Sequence, residues 1–244
     1  MSARRGGLLD ATVFAVVGVA ILLGLGIWQL DRKTWKENLI ATIAARLARA
    51  PEALPPRADW QRLTADTDEY RRVVFSAEFI GGETALVYTA GSAFRPDVSG
   101  AGYWVFTPAR LAGGSIVIVN RGFVPLDRVD ASRSVPQGTF DLVGVMRWPE
   151  KPGMFTPHDD PANNTWYTRD QRTISAAKSW DAPGPFYVDL EFPDPPGGLP
   201  KPGKLVVALP DNHLQYALTW FGLALGLAGV YVVWLAGRLR QRND

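Results

Sequence analysis

Two long apolar runs bracket a chain whose middle alternates. Residues 11–30, "ATVFAVVGVAILLGLGIWQL", and 214–237, "LQYALTWFGLALGLAGVYVVWLAG", carry no formal charge. Each reaches the roughly 20 predominantly apolar residues that a membrane-spanning helix needs. Both exceed the length of an ordinary core helix. The first also exceeds the ~7–15-residue apolar region of a secretory signal, and it ends in "GIWQLDRK", not in small residues. The pattern predicts one transmembrane helix over 8–30, retained as an anchor, and a second over 213–237. A helical extension follows the first over 31–50, because Trp35, Leu39, Ile43 and Leu47 recur at four-residue steps. "PEALPP" then stops it.

From residue 51 to 210 the period changes to two. In "RRVVFSAEF", Val73, Phe75, Ala77 and Phe79 fall on one face. "TALVYTA", "GYWVFTPA", "SIVIVNRGF", "TFDLVGVMR", "PFYVDLEF" and "KLVVALP" are further strand candidates, punctuated by Gly and Pro clusters such as "LAGGS" and "DPPGGLPKPG". Their close spacing predicts an antiparallel sheet curling into a small barrel or sandwich, with one short helix at "TRDQRTISAAKSW". The expected fold class is therefore a membrane protein of α+β type. Two terminal transmembrane helices flank an outward-facing β domain over 51–210, large enough for one core.

Charge orients this arrangement. The net charge is only +2, from 26 basic and 24 acidic residues, but its placement is uneven. Arg4 and Arg5 precede the first span; Arg238, Arg240 and Arg242 lie in the tail 238–244. Basic residues collect on the cytoplasmic side, so both termini are expected in the cytoplasm and the large domain in the periplasm. The short N-terminus has no transit-peptide character, which points to a bacterial inner membrane. Arg32, Lys33 and Lys36 run against the charge rule on the outer side, as residues with a partner there would. With no cysteine, the chain has no disulfide, no CxxC motif and no thiolate copper site. No nucleic-acid partner is expected; the lipid bilayer is.

Enzyme signatures are scarce: the sequence contains no GxSxG, no HExxH and no phosphate-binding glycine loop. The expectation is a protein that is not an enzyme. His158, Asp159 and Asp160 are consecutive in a Pro-rich stretch. Adjacent ligands rarely converge on one ion, and a solvated loop is the simpler reading. "NRGFVP" at 120–125 reads as a hairpin exit with Arg121 on the surface.

His213, one of two histidines, opens the second span in "NHLQYALTWF". Asn212 and Gln215 fit a reciprocal capping pair, which leaves His213 unexplained. Tyr216 and Trp220 follow it on one face. All three read as an interfacial belt. They also read as part of a cofactor site. A helix N-terminus disfavours imidazolium, neutral imidazole ligates metal, and haem iron takes histidine. On the first span Trp28, Arg32 and Trp35 share a face. They suit a flat macrocycle and its propionates, or belt and snorkel roles. Gly222, Gly226 and Gly229, with Ala20 and Gly24, offer small faces on which the spans are expected to pack.

"LGIWQLDRKTWKENLI", "GYWVFTPA", "NRGFVP", "NTWYTRD" and "NHLQYALTWF", in this order between two terminal spans, resemble the Surfeit-locus (Surf-one) family of cytochrome c oxidase assembly factors. The resemblance covers nearly the whole chain. It implies a role in maturing the haem a centre of oxidase subunit one, and binding of haem a. The family's C-terminal histidine matches His213, and its Trp-Gln-Arg block matches Trp28, Gln29 and Arg32. The implied cofactor is haem a, with His213 as axial ligand. The implied partners are oxidase subunit one and, as a further candidate, haem a synthase. The resemblance assigns no role to His158. A scaffold that holds a partly built oxidase without binding haem is the alternative.

Overall fold

A computed structural model describes residues 2–92, 94–181, 184–207 and 211–243. The chain divides into two compact units, residues 1–41 with 210–244, and residues 42–209. Two apolar terminal helices, α1 (Ser2–Leu47) and α4 (His213–Asn243), flank a mixed α+β unit whose sheet closes into a barrel. Both helices are long and apolar enough to cross a membrane, and only 6% of either apolar window is buried. That exposure is the reverse of a core helix, and it is compatible with a membrane-anchored protein.

Within the first unit α1 and α4 run antiparallel in direct contact. Ala15, Gly26, Ala217 and Ala224 are buried along one seam. A Cβ on Gly18 would lie 2.8 Å from Leu227, and one on Gly26 2.4 Å from the Phe221 ring. Small residues here let the backbones approach. The Thr12 hydroxyl meets the Tyr231 hydroxyl at 2.6 Å, a polar tie between otherwise apolar helices. The packing face differs from the expected one. Gly24, Gly222, Gly226 and Gly229 have open space around them, and Ala20 is exposed. Glycine content predicted close approach correctly, but the helical rotation of the seam follows Ala15, Gly18, Gly26 and Ala217, Ala224.

Among the described residues the second unit holds a one-turn helix α2 (Ala65–Asp68) and eight strands: β1 (Glu52–Ala53), β2 (Arg72–Phe79), β3 (Ala85–Thr89), β4 (Gly102–Leu111), β5 (Ile116–Pro125), β6 (Thr139–Arg147), β7 (Thr165–Trp166) and β8 (Tyr187–Phe192). Five of them form a ring in the order β2-β6-β8-β5-β4. The ring closes because β4 serves two neighbours. Its first half pairs with β3, while Ala109, Arg110 and Leu111 pair with Phe79, Glu78 and Ala77 of β2. A bulge in the pairing with β5 falls between Trp104 and Phe106, where the strand can bend. β5 and β8 are parallel, so a crossover must join them. It runs out through β6 and returns through β7 and the helix α3 (Gln171–Lys178).

Period-two patterning builds two cores from these strands. Val73, Phe75, Ala77 and Phe79 of β2 alternate inward as expected. With Val117, Val119, Leu142, Met146, Val188 and Leu190 they fill the barrel, and Trp60 and Phe186 meet edge-on in the same core at 5.1 Å. The opposite face of β4 and β5 is also covered. Phe106, Ile116, Ile118 and Tyr187 pack with Val87, Trp166 and Ile174 in a second core. β5 is thus buried on both faces. α3 is capped by Asp170, whose Oδ1 accepts from the amides of Arg172 and Thr173. "KLVVALP" is the expectation the structure overturns: residues 204–207 form no strand, and 208–210 lie outside the described residues. The amide of Val206 instead bonds the carbonyl of Phe94.

Charge is buried at the end of the second core. Asp189 of β8 accepts from Asn120 Nδ2 at 2.7 Å and from Arg147 Nη1 at 3.2 Å, with Arg169 Nη1 at 3.9 Å. Arg147 also reaches Glu69, and Arg169 reaches Glu150. Beside them Arg95 makes a forked pair with Asp97, and its hydrogen bonds hold the Asp97 carboxyl well below the usual carboxylate range. "NRGFVP" supplies Asn120, "NTWYTRD" supplies Arg169, and the two meet on Asp189.

Two outcomes follow for these contacts. Cysteines replacing Thr12 and Tyr231 should cross-link on oxidation in the otherwise cysteine-free chain. Gly26→Leu should abolish that cross-link and Gly24→Leu should not. Equal cross-linking between cysteines at Ala20 and Gly226 would sink the seam. Asp189→Ala leaves two buried guanidinium groups short of an anion, and should cost about 3–5 kcal/mol of unfolding free energy. Denaturant titration followed by tryptophan fluorescence measures it; a loss below about 1 kcal/mol would contradict the stated role.

Candidate functional site

The first unit carries the residues singled out at the mouth of the second span. His213 is the first residue of α4. Its backbone amide donates to Asp211 Oδ1 at 3.0 Å, and Tyr216 N donates to the Asn212 carbonyl at 3.1 Å. Among the described residues no Asn212–Gln215 side-chain exchange forms; Asp211 serves the first turn instead. An acidic group there is favoured by the helix dipole.

The imidazole of His213 is half-buried, and its Nδ1 lies 2.7 Å from Gln29 Oε1 of α1. A carboxamide oxygen only accepts, so with this amide orientation Nδ1 carries the proton. The tautomer is thereby fixed by the bond to Gln29. Among the described residues no hydrogen bond is made to Nε2. A ring with one nitrogen held by a neighbour and the other open is the arrangement of a metal-ligating histidine.

The other expected residues divide by face. Trp28 and Trp35 are 53% and 54% exposed, and the Arg32 guanidinium lies over the Trp35 ring at 4.3 Å. Tyr216 is 55% exposed, and Trp220 is half-buried. The structure joins Gln29 to His213 and Arg32 to Trp35. Trp28 and Tyr216 present their rings outward.

The chemistry of this donor set is narrow. Among the described residues no three His, Cys, Asp or Glu side chains gather to hold a bare ion. One histidine suffices for a metal that brings its own equatorial ligands, which is what a haem does. The exposed indoles of Trp28 and Trp35 and the Arg32 guanidinium, on the turns of α1 next to Gln29, fit a flat apolar ring with acidic substituents. The residues present therefore fit a haem.

His158 stays out of any such site. It is exposed, while Asp159 accepts from the Tyr167 amide and Asp160 caps the short turn Pro161–Asn163. The carboxylates of that triplet are spent on their own loop. Arg121 is a residue that sequence reasoning placed wrongly. It is 3% exposed, not at the surface, and it lines a cavity of about 270 Å³. The missed signal is parity: Arg121 continues the Val117, Val119 face that fills the barrel.

The chain matches the model of the SURF1 family over residues 16–225. It is 35% identical over 237 residues to a SURF1-like protein of Monosiga brevicollis, covering 91% of this chain and 85% of that protein. It is 34% identical to Surfeit locus protein 1 of Mus musculus, with 86% and 71% covered, and 32% identical to that of Homo sapiens, with 89% and 74% covered. The matched span includes the whole His213–Gln29 pair and both cores of the barrel unit, and the chain belongs to the SURF1 family.

Proposed function

We propose that this chain, a member of a family of cytochrome c oxidase assembly factors, is a membrane-anchored factor that binds haem a through His213 and assists its delivery to oxidase subunit one. The observation that carries this reading is the 2.7 Å hydrogen bond between His213 Nδ1 and Gln29 Oε1. It orients the ring by its Nδ1 and leaves Nε2 as the nitrogen that would hold the iron. When bound, haem would supply an iron centre that His213 could ligate. Around it Trp28, Trp35, Trp220 and Tyr216 provide apolar and aromatic surface, and Arg32 provides a cation for a propionate. His213 would be a single protein ligand, which suits release as well as capture. The acceptor in this reading is subunit one, and haem a synthase is the donor.

The same reading sets the topology. α1 and α4 cross a bacterial inner membrane, with Arg4, Arg5, Arg238, Arg240 and Arg242 on the cytoplasmic side. Residues 42–209 then face the periplasm. Reporter fusions after Asp244 and within residues 194–198 should report opposite compartments; the same compartment for both would contradict it.

The haem assignment is tested by coexpression with haem a synthase. His213→Ala should lose bound haem while the protein still accumulates in the membrane. Gln29→Leu removes the acceptor from Nδ1 and should weaken haem retention by about 10–100-fold. Trp28→Ala and Arg32→Ala should weaken it less, since packing and charge are shared by several groups. The readout is haem per protein with the Soret position. Unchanged haem content and spectrum in His213→Ala would remove the ligand assignment and leave a haem-free scaffold as the better account.

A further inference from the structure

In the 42–209 unit lies a partly open cavity of about 270 Å³. Phe79, Phe140, Leu142 and Leu190 wall it, and Pro136, Pro193, Pro195, Pro196 and Pro200 form a stiff rim. The depth is apolar because these strands send their inward-facing residues there. The 200–203 side of the rim lies close on β5 because of Gly122. Its φ of +123° and the lack of a Cβ, which would lie 2.2 Å from Lys201 O, let the 200–203 segment cross the end of β5. Phe123 and Lys201 then exchange both backbone hydrogen bonds, at 3.0 and 2.8 Å.

Arg121 enters this cavity from β5. Its guanidinium donates to the carbonyls of Ser132 and Ser134 and lies 5.6 Å from the Phe79 ring centre. No carboxylate among the described residues pairs with it. The other three buried guanidinium groups, Arg95, Arg147 and Arg169, all have carboxylate partners. Burial alone pulls the Arg121 guanidinium down to about 10, and it remains charged at neutral pH. Buried charges are ordinarily paired because an unpaired one is costly. Carbonyl dipoles and an aromatic face offset only part of that cost. Asp194 also borders the cavity, but it is exposed and makes no ion pair with Arg121.

We propose that this cavity is a binding site for a small monocarboxylate with an apolar body, its carboxylate on Arg121 and its chain among Phe79, Phe140, Leu142 and Leu190. The volume corresponds to roughly nine water-sized groups, which suits an alkyl or aryl acid of about six to eight carbons. The single cation and the nearby Asp194 favour a monoanion over a phosphate dianion. The site uses no residue of the His213 region, so it stands or falls independently of haem binding.

Calorimetric titration of the full chain in detergent with hexanoate tests it, with hexan-1-ol and acetate as controls. Hexanoate should bind saturably at one per chain, and both controls at least about tenfold more weakly, since each lacks either the charge-assisted hydrogen bonds or the apolar body. Arg121→Gln keeps donors for Ser132 and Ser134 and should bring hexanoate down to the level of hexanol. Should that variant fail to fold, Gln137→Trp at the exposed rim keeps Arg121 and should block entry, with hexanoate affinity falling at least about tenfold. Non-saturable hexanoate uptake, equal affinity for hexanoate and hexanol, or undiminished binding in a folded variant would overturn the proposal.

Discussion

The Asp189 carboxylate binds together parts of the chain that are far apart in sequence. Asn120 comes from β5, Arg147 from the end of β6 and Arg169 from the crossover before α3. All of them converge on one residue of β8. β8 is also the strand that completes the ring between β5 and β6. Without an anion at this position, two guanidinium groups would lie in the core with only Glu69 and Glu150 for compensation. A buried pair is a weak source of stability but a strong source of loss when broken. Asp189 therefore acts chiefly to hold register and crossover in one arrangement. The motifs "NRGFVP" and "NTWYTRD" owe part of their character to this convergence.

The terminal helices solve a different problem. In lipid no hydrophobic force drives two apolar helices together, so close backbone approach and hydrogen bonds must do it. Gly18 and Gly26 provide the approach, and Thr12 with Tyr231 provides a hydrogen bond at one end. Gln29 with His213 provides another at the opposite end of the same seam. The histidine's tautomer thus depends on helix packing: the seam that brings Gln29 to His213 also fixes which imidazole nitrogen is free.

Much of this was legible in the sequence, for physical reasons that also explain the rest. Charge-free runs mark the two helices because lipid-length segments have few alternatives. The β2 face Val73–Phe79 was legible because a strand with one buried face must alternate. β5 was harder, since burial on both faces erases the alternation, and that is where Arg121 was misplaced. The composition rule that arginine lies outside outweighed the parity that puts it inside. "KLVVALP" has the residues of a strand, but over 204–207 the chain joins no sheet and its Val206 amide bonds the Phe94 carbonyl. Glycine counts could not give the rotation of the helix seam, because Gly24 and Gly26 differ in environment while being the same residue two positions apart. The Gln29–His213 bond spans 184 positions, and no local pattern encodes it; only the resemblance placed the two residues in one site.

The most direct test of the account is whether His213 nitrogen is bonded to haem iron. The chain has two histidines, so His158→Gln leaves His213 as the sole histidine. That variant, grown with ¹⁵N-histidine and haem a synthase, can be examined in its ferric state by pulsed electron–nuclear double resonance. A strong ¹⁵N hyperfine coupling from one directly bonded nitrogen is the predicted result. Bound haem that shows no such coupling would contradict the claim that His213 holds the iron.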